Sequence, residues 1–362
     1  MSKVLIADVG GTNIRFGLAE DKKVTHVSKF RCADFKSTEE AIQTYLNQVG
    51  EKPDYFVAGA AGEINEDGRI ELTNSALQLD IRDISQKFGF KKGLLANDVV
   101  FHTVKVLDLP STDWEELNPN TTASQKNPSS CVIVVGTGFG GSYANDGCVE
   151  ASEPGHHEAI PSRRGGKTDE NVWGFMREQR EGIWEDYVSG PSSLRIYQYL
   201  TAIRTDRDKL ATTPREVTEL AHKGDEAAVT TYKIMARFLA QFLGQEVPDR
   251  HLSNIYLGGL TREILSLPDV RQEFLDALYD RPGKYASKHA RRASIRLIKT
   301  DENLAMEGLA MVADDIVRTG TTKRILKRDL RLFDREKEEK KRTLEMRRAL
   351  TLSEMINGGN GL

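Results

Sequence analysis

Cysteine is scarce in this chain, whose 362 residues include only Cys32, Cys131 and Cys148. An odd, scattered set without a Cys-x-x-Cys pair argues against a disulfide framework and against a structural zinc site. Long apolar runs are missing as well, because no stretch approaches the roughly 18 apolar residues of a membrane span. The amino terminus lacks the pattern of a signal peptide and runs directly into strand-like sequence at Lys3. We therefore expect an unprocessed, soluble protein in the reducing cytoplasm.

A large charge of one sign is also absent, since the formal net charge is −3. The whole molecule has no field that would attract nucleic acid or an anionic membrane, and we expect neither as a partner. Charge is nevertheless uneven, because residues 318–362 carry 13 Lys and Arg against 7 Asp and Glu. Within this basic tail, Asp334 to Thr343 contains no apolar residue, which predicts a solvated helix. The alternative is self-association or a partner contact through Leu326, Leu330 and Phe333.

The apolar pattern predicts an α/β protein, and the length suggests about two domains. Short apolar runs typical of strands alternate with amphipathic segments typical of helices that cover a sheet. The predicted strands are Val4–Ala7, Tyr55–Ala60, Gly93–Ala96, Cys131–Val135 and Asn254–Leu257. The predicted helices are Thr38–Val49, Asp83–Phe88, Val229–Gly244 and Asp269–Leu278. Residues 110–128, rich in Ser, Thr, Asn and Pro, predict a loop with at most a short helix near Trp114.

A glycine pair follows the first strand, in the sequence Asp8-Val-Gly-Gly-Thr-Asn. The residues after it alternate with a period of two, which predicts a second strand and a β-hairpin rather than the helix of a Rossmann or Walker loop. Such a turn can hold phosphate, because glycines let backbone N–H groups approach the oxygens. The candidate phosphate-binding residues are Gly10, Gly11, Thr12 and Asn13. Asp8 is placed to reach a Mg²⁺ ion, and the alternative interpretation is an ordinary hairpin with an Asp turn.

The pattern of strand, glycine turn and strand recurs, with Gly136 following Gly10 by 126 residues. Two similar halves are implied, and paired turns facing each other across a cleft would clamp a polyphosphate from both sides. The candidate residues of the second turn are Gly136, Thr137 and Gly138. A further strand ends at Gly258 and Gly259, where the backbone can lie close to a flat ligand such as adenine.

These motifs resemble those of the sugar-kinase, actin and heat-shock ATPase superfamily, and from about Lys3 to Ala313 the chain resembles the bacterial-type, zinc-free glucokinases. The resemblance implies an α/β fold of the duplicated ribonuclease-H-like (actin-like ATPase) type, with two domains and a central cleft. It also implies ATP and Mg²⁺ as cofactors and a homodimer. The expected parts are a small domain (1–108), a large domain (109–302), a helix that returns to the small domain (303–320) and a basic, largely helical tail (321–362).

A polar pair, Asn97 and Asp98, follows the third predicted strand. Open α/β sheets place their ligand crevice at the carboxyl ends of strands, although Asn or Asp at such a position also caps helices. The glucokinase resemblance implies that Asp98 is the general base and that Asn97 contacts a sugar hydroxyl.

Two further motifs supply carboxylates and an imidazole, which suit a polyol ring because they exchange hydrogen bonds with hydroxyls. Glu153-Pro-Gly-His156 resembles the family's E-x-G-H sugar motif, which implies that Glu153 and His156 contact the hexose. Glu185 begins a segment that resembles the family's E-x-x-x-S-G-P, in which the glutamate binds sugar hydroxyls. The same segment also has the pattern of a helix start at Ser189.

Other positions bear on the sugar pocket less directly. Thr73-Asn74 resembles a further family segment, which makes Asn74 an additional candidate. Pro154 stands where the family usually has glycine. The basic stretch from Ser162 to Thr168 also departs from the family, and we expect a solvated loop there, with a mobile lid or a phosphate-attracting edge as alternatives.

The combined prediction is a glucokinase-type phosphotransferase that makes glucose 6-phosphate from glucose and ATP. Asp98 would accept the proton of the C6 hydroxyl as that oxygen attacks the γ-phosphorus. The alternatives are a kinase of another hexose or N-acetylhexosamine, a non-catalytic sugar-sensing regulator, and a polymerising actin-like ATPase. The last of these leaves Glu153, His156 and Glu185 without a role.

Overall fold

The computed structural model describes residues 2–62, 64–72, 77–118, 128–202, 210–300, 303–341 and 343–346. Its strands, in chain order, are β1 (Val4–Val9), β2 (Asn13–Glu20), β3 (Lys23–Arg31), β4 (Tyr55–Ala60), β5 (Arg69–Glu71), β6 (Gln78–Asp80), β7 (Lys92–Asn97), β8 (Trp114–Glu116), β9 (Ser130–Val135), β10 (Phe139–Asn145), β11 (Cys148–Ser152), β12 (Asn254–Gly259), β13 (Ser294–Ile298) and β14 (Leu330–Asp334). The five predicted strands are confirmed as β1, β4, β7, β9 and β12.

The α-helices are α1 (Thr38–Val49), α2 (Ile81–Phe88), α3 (Asp98–Val106), α4 (Gly166–Gln179), α5 (Trp184–Tyr187), α6 (Gly190–Thr201), α7 (Pro214–His222), α8 (Glu226–Asp249), α9 (Leu260–Ser266), α10 (Pro268–Tyr279), α11 (Lys284–Arg292) and α12 (Leu304–Thr319). The four predicted helices are confirmed as α1, α2, α8 and α10, with α8 extended to 24 residues. In the part of the chain that the structure describes, no helix has the length and apolar character needed to cross a membrane.

Local signals set the ends of α1. Its first turn is capped by the Ser37 hydroxyl, which accepts a hydrogen bond from the Glu40 N–H. It ends at Gly50, where a φ of 68° places the residue in the left-handed region and its N–H donates to the Leu46 carbonyl. A serine cap and a left-handed glycine stop are common helix boundaries, and here they coincide with the two ends of the predicted amphipathic segment.

The chain forms two compact units, and the first is discontinuous. The first unit comprises residues 1–102 and 305–362, and the second comprises residues 103–304. The first division falls inside α3, a few residues before the expected boundary after residue 108. The helix α12 belongs almost entirely to the first unit.

The first unit is built on a six-stranded sheet in the order β14-β7-β4-β1-β2-β3. Strand β1 is antiparallel to its hairpin partner β2 and parallel to β4, which is in turn parallel to β7. Residues Leu5, Ile6 and Ala7 in the central strand are fully buried. Burial on both faces of the sheet explains why β1 is a continuous apolar run rather than an alternating one.

The second unit repeats this arrangement in a sheet of order β11-β10-β9-β12-β13-β8. Strand β9 forms an antiparallel hairpin with β10 and is parallel to β12, which is parallel to β13. The order of β3, β2, β1, β4 and β7 is therefore reproduced by β11, β10, β9, β12 and β13. This repeat confirms the predicted duplicated α/β fold.

Each of the two six-stranded sheets has, at one side, an antiparallel edge strand that the sequence did not predict. Strand β8 lies in the segment expected to be a loop and pairs with β13; residues 119–127 of that segment lie outside the described part. Strand β14 lies in the tail and pairs with β7, which buries Phe333 in the core of the first unit. Phe333 thus fills its own domain rather than a partner surface. The predicted helix follows, over the described residues 335–341 and 343–346.

Candidate active site

The first glycine turn closes the β1–β2 hairpin, as predicted. The Gly10 N–H donates to the Asn13 carbonyl at 3.0 Å, and the Cys32 N–H donates to the Thr12 carbonyl at 2.9 Å. Register places Asp8 directly opposite Arg15, and the guanidinium lies 3.9 Å from the carboxylate. Burial raises the pKa of Asp8, and the charge of Arg15 partly opposes that shift.

Asn97 and Asp98 lie at the carboxyl end of β7, on the same side of the first sheet as Asp8 near the carboxyl end of β1. Asp8 pairs with Gly59 on β4, and the next residue of β4, Ala60, pairs with Asn97 on β7. Strands in a sheet lie about 4.8 Å apart, so roughly 10 Å separates the backbones of Asp8 and Asn97. The register therefore brings Asp8, Asn97 and Asp98 to the carboxyl ends of neighbouring strands.

Both residues of this pair also shape the start of α3, as the capping interpretation anticipated. The Val99 N–H lies 3.1 Å from Asn97 Oδ1 and 2.9 Å from Asp98 Oδ1, and both oxygens accept from it. The side-chain amide of Asn97 donates to the Gly62 carbonyl at 3.3 Å. Capping orients these two side chains, which is compatible with a second role toward a ligand.

Gly59 is a site residue that the sequence analysis missed. A Cβ at this position would lie 2.8 Å from the Phe101 ring and 3.2 Å from the Asp98 Cα. Only glycine therefore lets the first turn of α3, with Asp98, lie so close to β4. A glycine inside an otherwise apolar strand was the available signal, because it marks close backbone approach.

The second glycine turn is held by the start of α6. The Gly136 N–H donates to the Gly138 carbonyl at 2.9 Å, and the Gly190 N–H donates to the Gly136 carbonyl at 2.7 Å. Gly136 and Thr137 are exposed. The turn therefore has a fixed backbone and an open outer face.

Glu185 lies directly against this second turn. Its Oε2 accepts a hydrogen bond from the Phe139 N–H at 2.9 Å, and a Cβ at Gly138 would lie 2.6 Å from the same oxygen. The helix start predicted nearby is also present, because the Ser189 hydroxyl caps α6. The segment thus supplies both a helix start and a carboxylate on the turn.

The Glu153–His156 motif packs on the same hairpin. Residues Pro154–His156 form a 3₁₀ turn, and a Cβ at Gly155 would overlap the Phe139 carbonyl oxygen. The Trp184 N–H donates to the His157 carbonyl at 3.0 Å, which joins this turn to α5 and hence to Glu185. Glu153 and His156 are both exposed. The three predicted sugar-binding residues of the second unit therefore lie around one glycine turn.

Pro154, the departure from the family pattern, has a structural partner in Gly141. A Cβ at Gly141 would lie 2.6 Å from Pro154 Cγ. The proline ring thus occupies space that a glycine in β10 leaves open, and the turn keeps its position against the hairpin.

The basic stretch after this motif is not the fully solvated loop that the sequence predicted. Arg164 pairs with Glu273 at 3.2 Å and with Asp276 at 2.9 Å, both on α10. Just after this stretch, Asp169 is fully buried, and its two carboxylate oxygens accept hydrogen bonds from Nε and Nη2 of Arg237. Carboxylates far along the chain attach this stretch, so no local pattern could have predicted the attachment.

Gly258 and Gly259 end β12 beside the second turn. Gly259 pairs with Val135, the residue before Gly136, and has a φ of 66°. A Cβ at Gly259 would overlap the Val135 carbonyl oxygen. The adenosine-side candidates therefore lie next to the second phosphate turn. Asn74 lies outside the described residues, so its predicted role stays a prediction.

Two α/β units with the same strand order, each with a glycine turn in its first hairpin, have the architecture of the sugar-kinase and actin-like ATPase fold. The glucokinase family model matches residues 5–315. The chain belongs to the glucokinase family, as its motifs predicted, and is a glucose-phosphorylating enzyme.

Known proteins support this assignment. The glucokinase of Sinorhizobium fredii is 27% identical over 287 residues, which cover 75% of this chain and 83% of that protein. The structure of a glucokinase from Balamuthia mandrillaris in complex with glucose has a TM-score of 0.74 at 18% identity, covering 86% of this chain and 94% of that one. A ROK family glucokinase from Streptomyces griseus in complex with glucose and AMPPNP has a TM-score of 0.59 at 18% identity, covering 86% and 98%. At these identities the structural similarity concerns the fold.

Proposed function

We propose that the chain transfers the γ-phosphoryl group of ATP to the 6-hydroxyl of glucose, with Asp98 as general base. The proposal depends on one observation: at the carboxyl ends of the parallel strands of the first sheet, only β4 lies between the Asp8 turn and the Asn97–Asp98 pair. A phosphate-binding turn and a carboxylate at one sheet edge match the needs of phosphoryl transfer, which depends mainly on positioning and electrostatics.

In this mechanism the Asp98 carboxylate accepts the proton of the C6 hydroxyl while that oxygen attacks the γ-phosphorus. The new bond joins O6 to phosphorus, the bond between the γ-phosphorus and its bridging oxygen breaks, and ADP leaves. The position of Asp98 at the start of α3, close against Gly59, would hold the carboxylate in one orientation. A well-placed general base contributes about 10²- to 10⁴-fold in rate.

The remaining candidates take binding roles. Backbone N–H groups of the turns at Gly10–Asn13 and Gly136–Gly138 would bind phosphate oxygens, and Gly258–Gly259 would lie against the adenosine. The sugar hydroxyls would bind to Asn74, Asn97, Glu153, His156 and Glu185. One carboxylate oxygen of Glu185 already accepts from the second turn, so its other oxygen would face the sugar.

Asp8 fits a Mg²⁺ ion. The carboxylate is largely buried, its pKa is raised by that burial, and the guanidinium of Arg15 lies 3.9 Å away. A divalent cation would stabilise the charged form, and magnesium accepts a site with one carboxylate plus phosphate oxygens and waters. When bound, the ion would neutralise charge on the transferring phosphate.

Two further proposals concern assembly and location. A homodimer is expected from the family resemblance, which light scattering of the purified protein would test. A cytoplasmic location is supported by the three free thiols, Cys32, Cys131 and Cys148.

The test of the reaction is Asp98→Asn in a coupled assay of ADP release. We expect kcat to fall about 10²- to 10⁴-fold while glucose binding, measured by calorimetry, changes little. Asp108→Asn is the matched control, because Asp108 is an exposed carboxylate just beyond the end of α3. Near-normal turnover of Asp98→Asn would contradict the assignment of the base.

A panel of glucose, mannose, fructose, N-acetylglucosamine and N-acetylmannosamine tests the acceptor with the wild-type protein. Turnover confined to glucose is the expected result. A preference for another sugar would keep the mechanism and overturn the substrate, whereas no sugar-stimulated ADP release would favour a non-catalytic sugar sensor.

A further inference from the structure

A second concave site lies in the second unit, at the end of α10 and along α11. It is a cavity of about 840 Å³. Five of its lining residues are cationic, namely Arg281, Lys284, Lys288, Arg291 and Arg292. The other lining residues are uncharged, so this cavity, hereafter the α11 cavity, has basic walls and no carboxylate among the residues that line it.

The α11 cavity is distant from the glycine turns. Helix α11 ends at Arg292, and β13 begins two residues later at Ser294, which pairs with Asn254 at the first position of β12. Gly259 lies at the opposite end of β12. Five residues of strand span about 17 Å, so the cavity opens at the amino edge of this sheet while the second phosphate turn lies at its carboxyl edge.

Hydrogen bonds hold the guanidinium of Arg281, one of the five cations, in a fixed position. Its guanidinium donates to the carbonyls of Ala240, Ala277 and Leu278 and to the side-chain oxygen of Gln241, at 2.7 to 3.0 Å. All four acceptors are neutral, so no hydrogen bond pairs this cation with a carboxylate, and the adjacent Asp280 acts on it only through its charge. Burial lowers the pKa of Arg281 to about 10, which still leaves it charged at neutral pH.

Two sets of contacts hold the carboxyl-terminal end of α11 in position. The Arg291 guanidinium lies over the Tyr279 ring, 4.6 Å from its centroid. The Asn118 amide donates to the backbone carbonyls of Arg291 and Ala293 at 3.0 and 3.1 Å. These contacts hold the end of α11 in place and leave the exposed Lys288 and Arg292 to face solvent and a ligand.

Across the described residues, none of the five cations takes part in an ion pair with Asp or Glu. The ion pairs recorded in this unit belong to other residues, such as Arg164, Arg271 and Arg296. The start of α11 adds to this positive field, because its first turn has neither an acidic residue nor a side-chain cap. Unsatisfied N–H groups at a helix start favour anions. Concentrating five like charges is unfavourable unless an anion offsets it.

We propose that the α11 cavity binds a small phosphorylated molecule with at least two phosphate charges. Lysine and arginine together suit phosphate, the first as a point charge and the second through paired N–H donors. An open pocket of this volume takes a ligand of metabolite size. The site is separate from the proposed catalytic residues and does not depend on their roles.

Inorganic pyrophosphate is the probe, titrated into the full chain by calorimetry with glucose and AMPPNP present to occupy the catalytic site. We expect the double variant Lys288→Gln/Arg292→Gln to bind pyrophosphate at least about tenfold more weakly than the wild type. The matched control is Arg215→Gln/Lys223→Gln, which removes the same charge from α7 and the residue after it, in the same unit. That control should bind as the wild type does.

Several outcomes would overturn the proposal. These are no pyrophosphate binding by the wild type, equal binding by the pocket variant, and equal losses in both double variants. If the pocket variant lacks a cooperative thermal transition, Lys288→Gln alone replaces it, because Lys288 is exposed. Sedimentation with phosphatidylserine vesicles separates the phosphate sources. Vesicle binding that requires Lys288 and Arg292, without pyrophosphate binding, would contradict a small-molecule site.

Discussion

The two glycine turns occupy the same place in two sheets of the same strand order, yet their surroundings differ. In the first hairpin, the residue before the last of β1 is Asp8, and it faces Arg15. In the second hairpin the equivalent residue of β9 is Val134, and it faces Gly140. The repeated feature is the path of the backbone, whereas the charge belongs to one copy only.

Packing around the two turns differs in a complementary way. Gly138, Gly141 and Gly155 leave room for Glu185, Pro154 and the Phe139 backbone around the second turn. Around the first turn, the only described atom that a Cβ at Gly10 would meet is the Asn13 carbonyl oxygen, at 3.4 Å. The first turn is therefore specialised by charge and the second by close packing against the sugar-binding candidates. The same hairpin can therefore be used for two roles, because its tight turn requires glycine while the residues around the turn are free to differ.

The largest effect is expected at a position that holds alanine in the first sheet and glycine in the second. Val9 pairs with Ala60 in the first sheet, but the matching partner of Val135 is Gly259. Gly259→Ala should lower the free energy of unfolding by about 3 kcal/mol or more, since the new methyl group overlaps the Val135 carbonyl and φ is positive. Urea unfolding measures this.

Gly136→Ala provides the comparison for that measurement, because no atom of the described residues lies within 4 Å of a Cβ there. It should change stability by no more than about 0.5 kcal/mol. Equal stabilities of the two alanine variants would show that the two sheets tolerate the same residues and would remove the distinction.

The edge strands offer a second comparison. Phe333 of β14 is 5% exposed and lies in the core of the first unit. Phe333→Ala should lower the free energy of unfolding by about 3 kcal/mol, because it leaves a cavity beneath a strand whose other residues are only partly buried. Leu344→Ala, at a side chain that is 51% exposed in the following helix, is the control and should change little. Thermal unfolding that is unchanged in both variants would mean that β14 does not stabilise the sheet.

The smallest expected effect concerns the charge of the first turn. Burial raises the pKa of Asp8 in the folded state above its ordinary value of about 3.9. As the pH rises from about 4, the unfolded chain loses this proton first, so the ionisable carboxyl lowers stability relative to an uncharged side chain. Asp8→Asn should therefore gain stability relative to the wild type between pH 4 and pH 7 in magnesium-free buffer.

Asp21→Asn removes the same charge at an exposed turn position and serves as the reference for that pH series. Chemical unfolding at each pH gives the difference between variants. A pH dependence that is the same for both variants would contradict the special burial of Asp8.

Much of this architecture could be predicted because the signals are local. Apolar runs located β1, β4, β7, β9 and β12, and the alternation after Gly11 distinguished a hairpin from a strand-to-helix turn. The edge strands could not be predicted in the same way. Strand β14 is five residues long, and its partner β7 lies far away in sequence. The polar helix that follows it dominated the local pattern.

The site shows the same division. The hairpin pattern made Asp8 a candidate, and the family resemblance implied roles for Asn97, Asp98, Glu153, His156 and Glu185. The structure brings the last three around one turn. The sequence did not reveal that Glu185 accepts from the Phe139 N–H, or that Gly59 makes room for Asp98, since both depend on approach between distant segments. The ion pairs of Arg164 with α10 depend on tertiary contacts for the same reason.

The pairing of β14 with β7 has a consequence for the order of folding. Phe333 pairs with Gly93 across 240 residues of chain, and the whole second unit lies between them. During synthesis the second unit can leave the ribosome and fold as one continuous segment, since domains generally fold as units. The first sheet must wait for its edge strand, which leaves the backbone groups at the outer edge of β7 open until then. An unpaired edge of this kind can pair with other chains, so the period before β14 arrives is when a nascent chain is most exposed to misassembly.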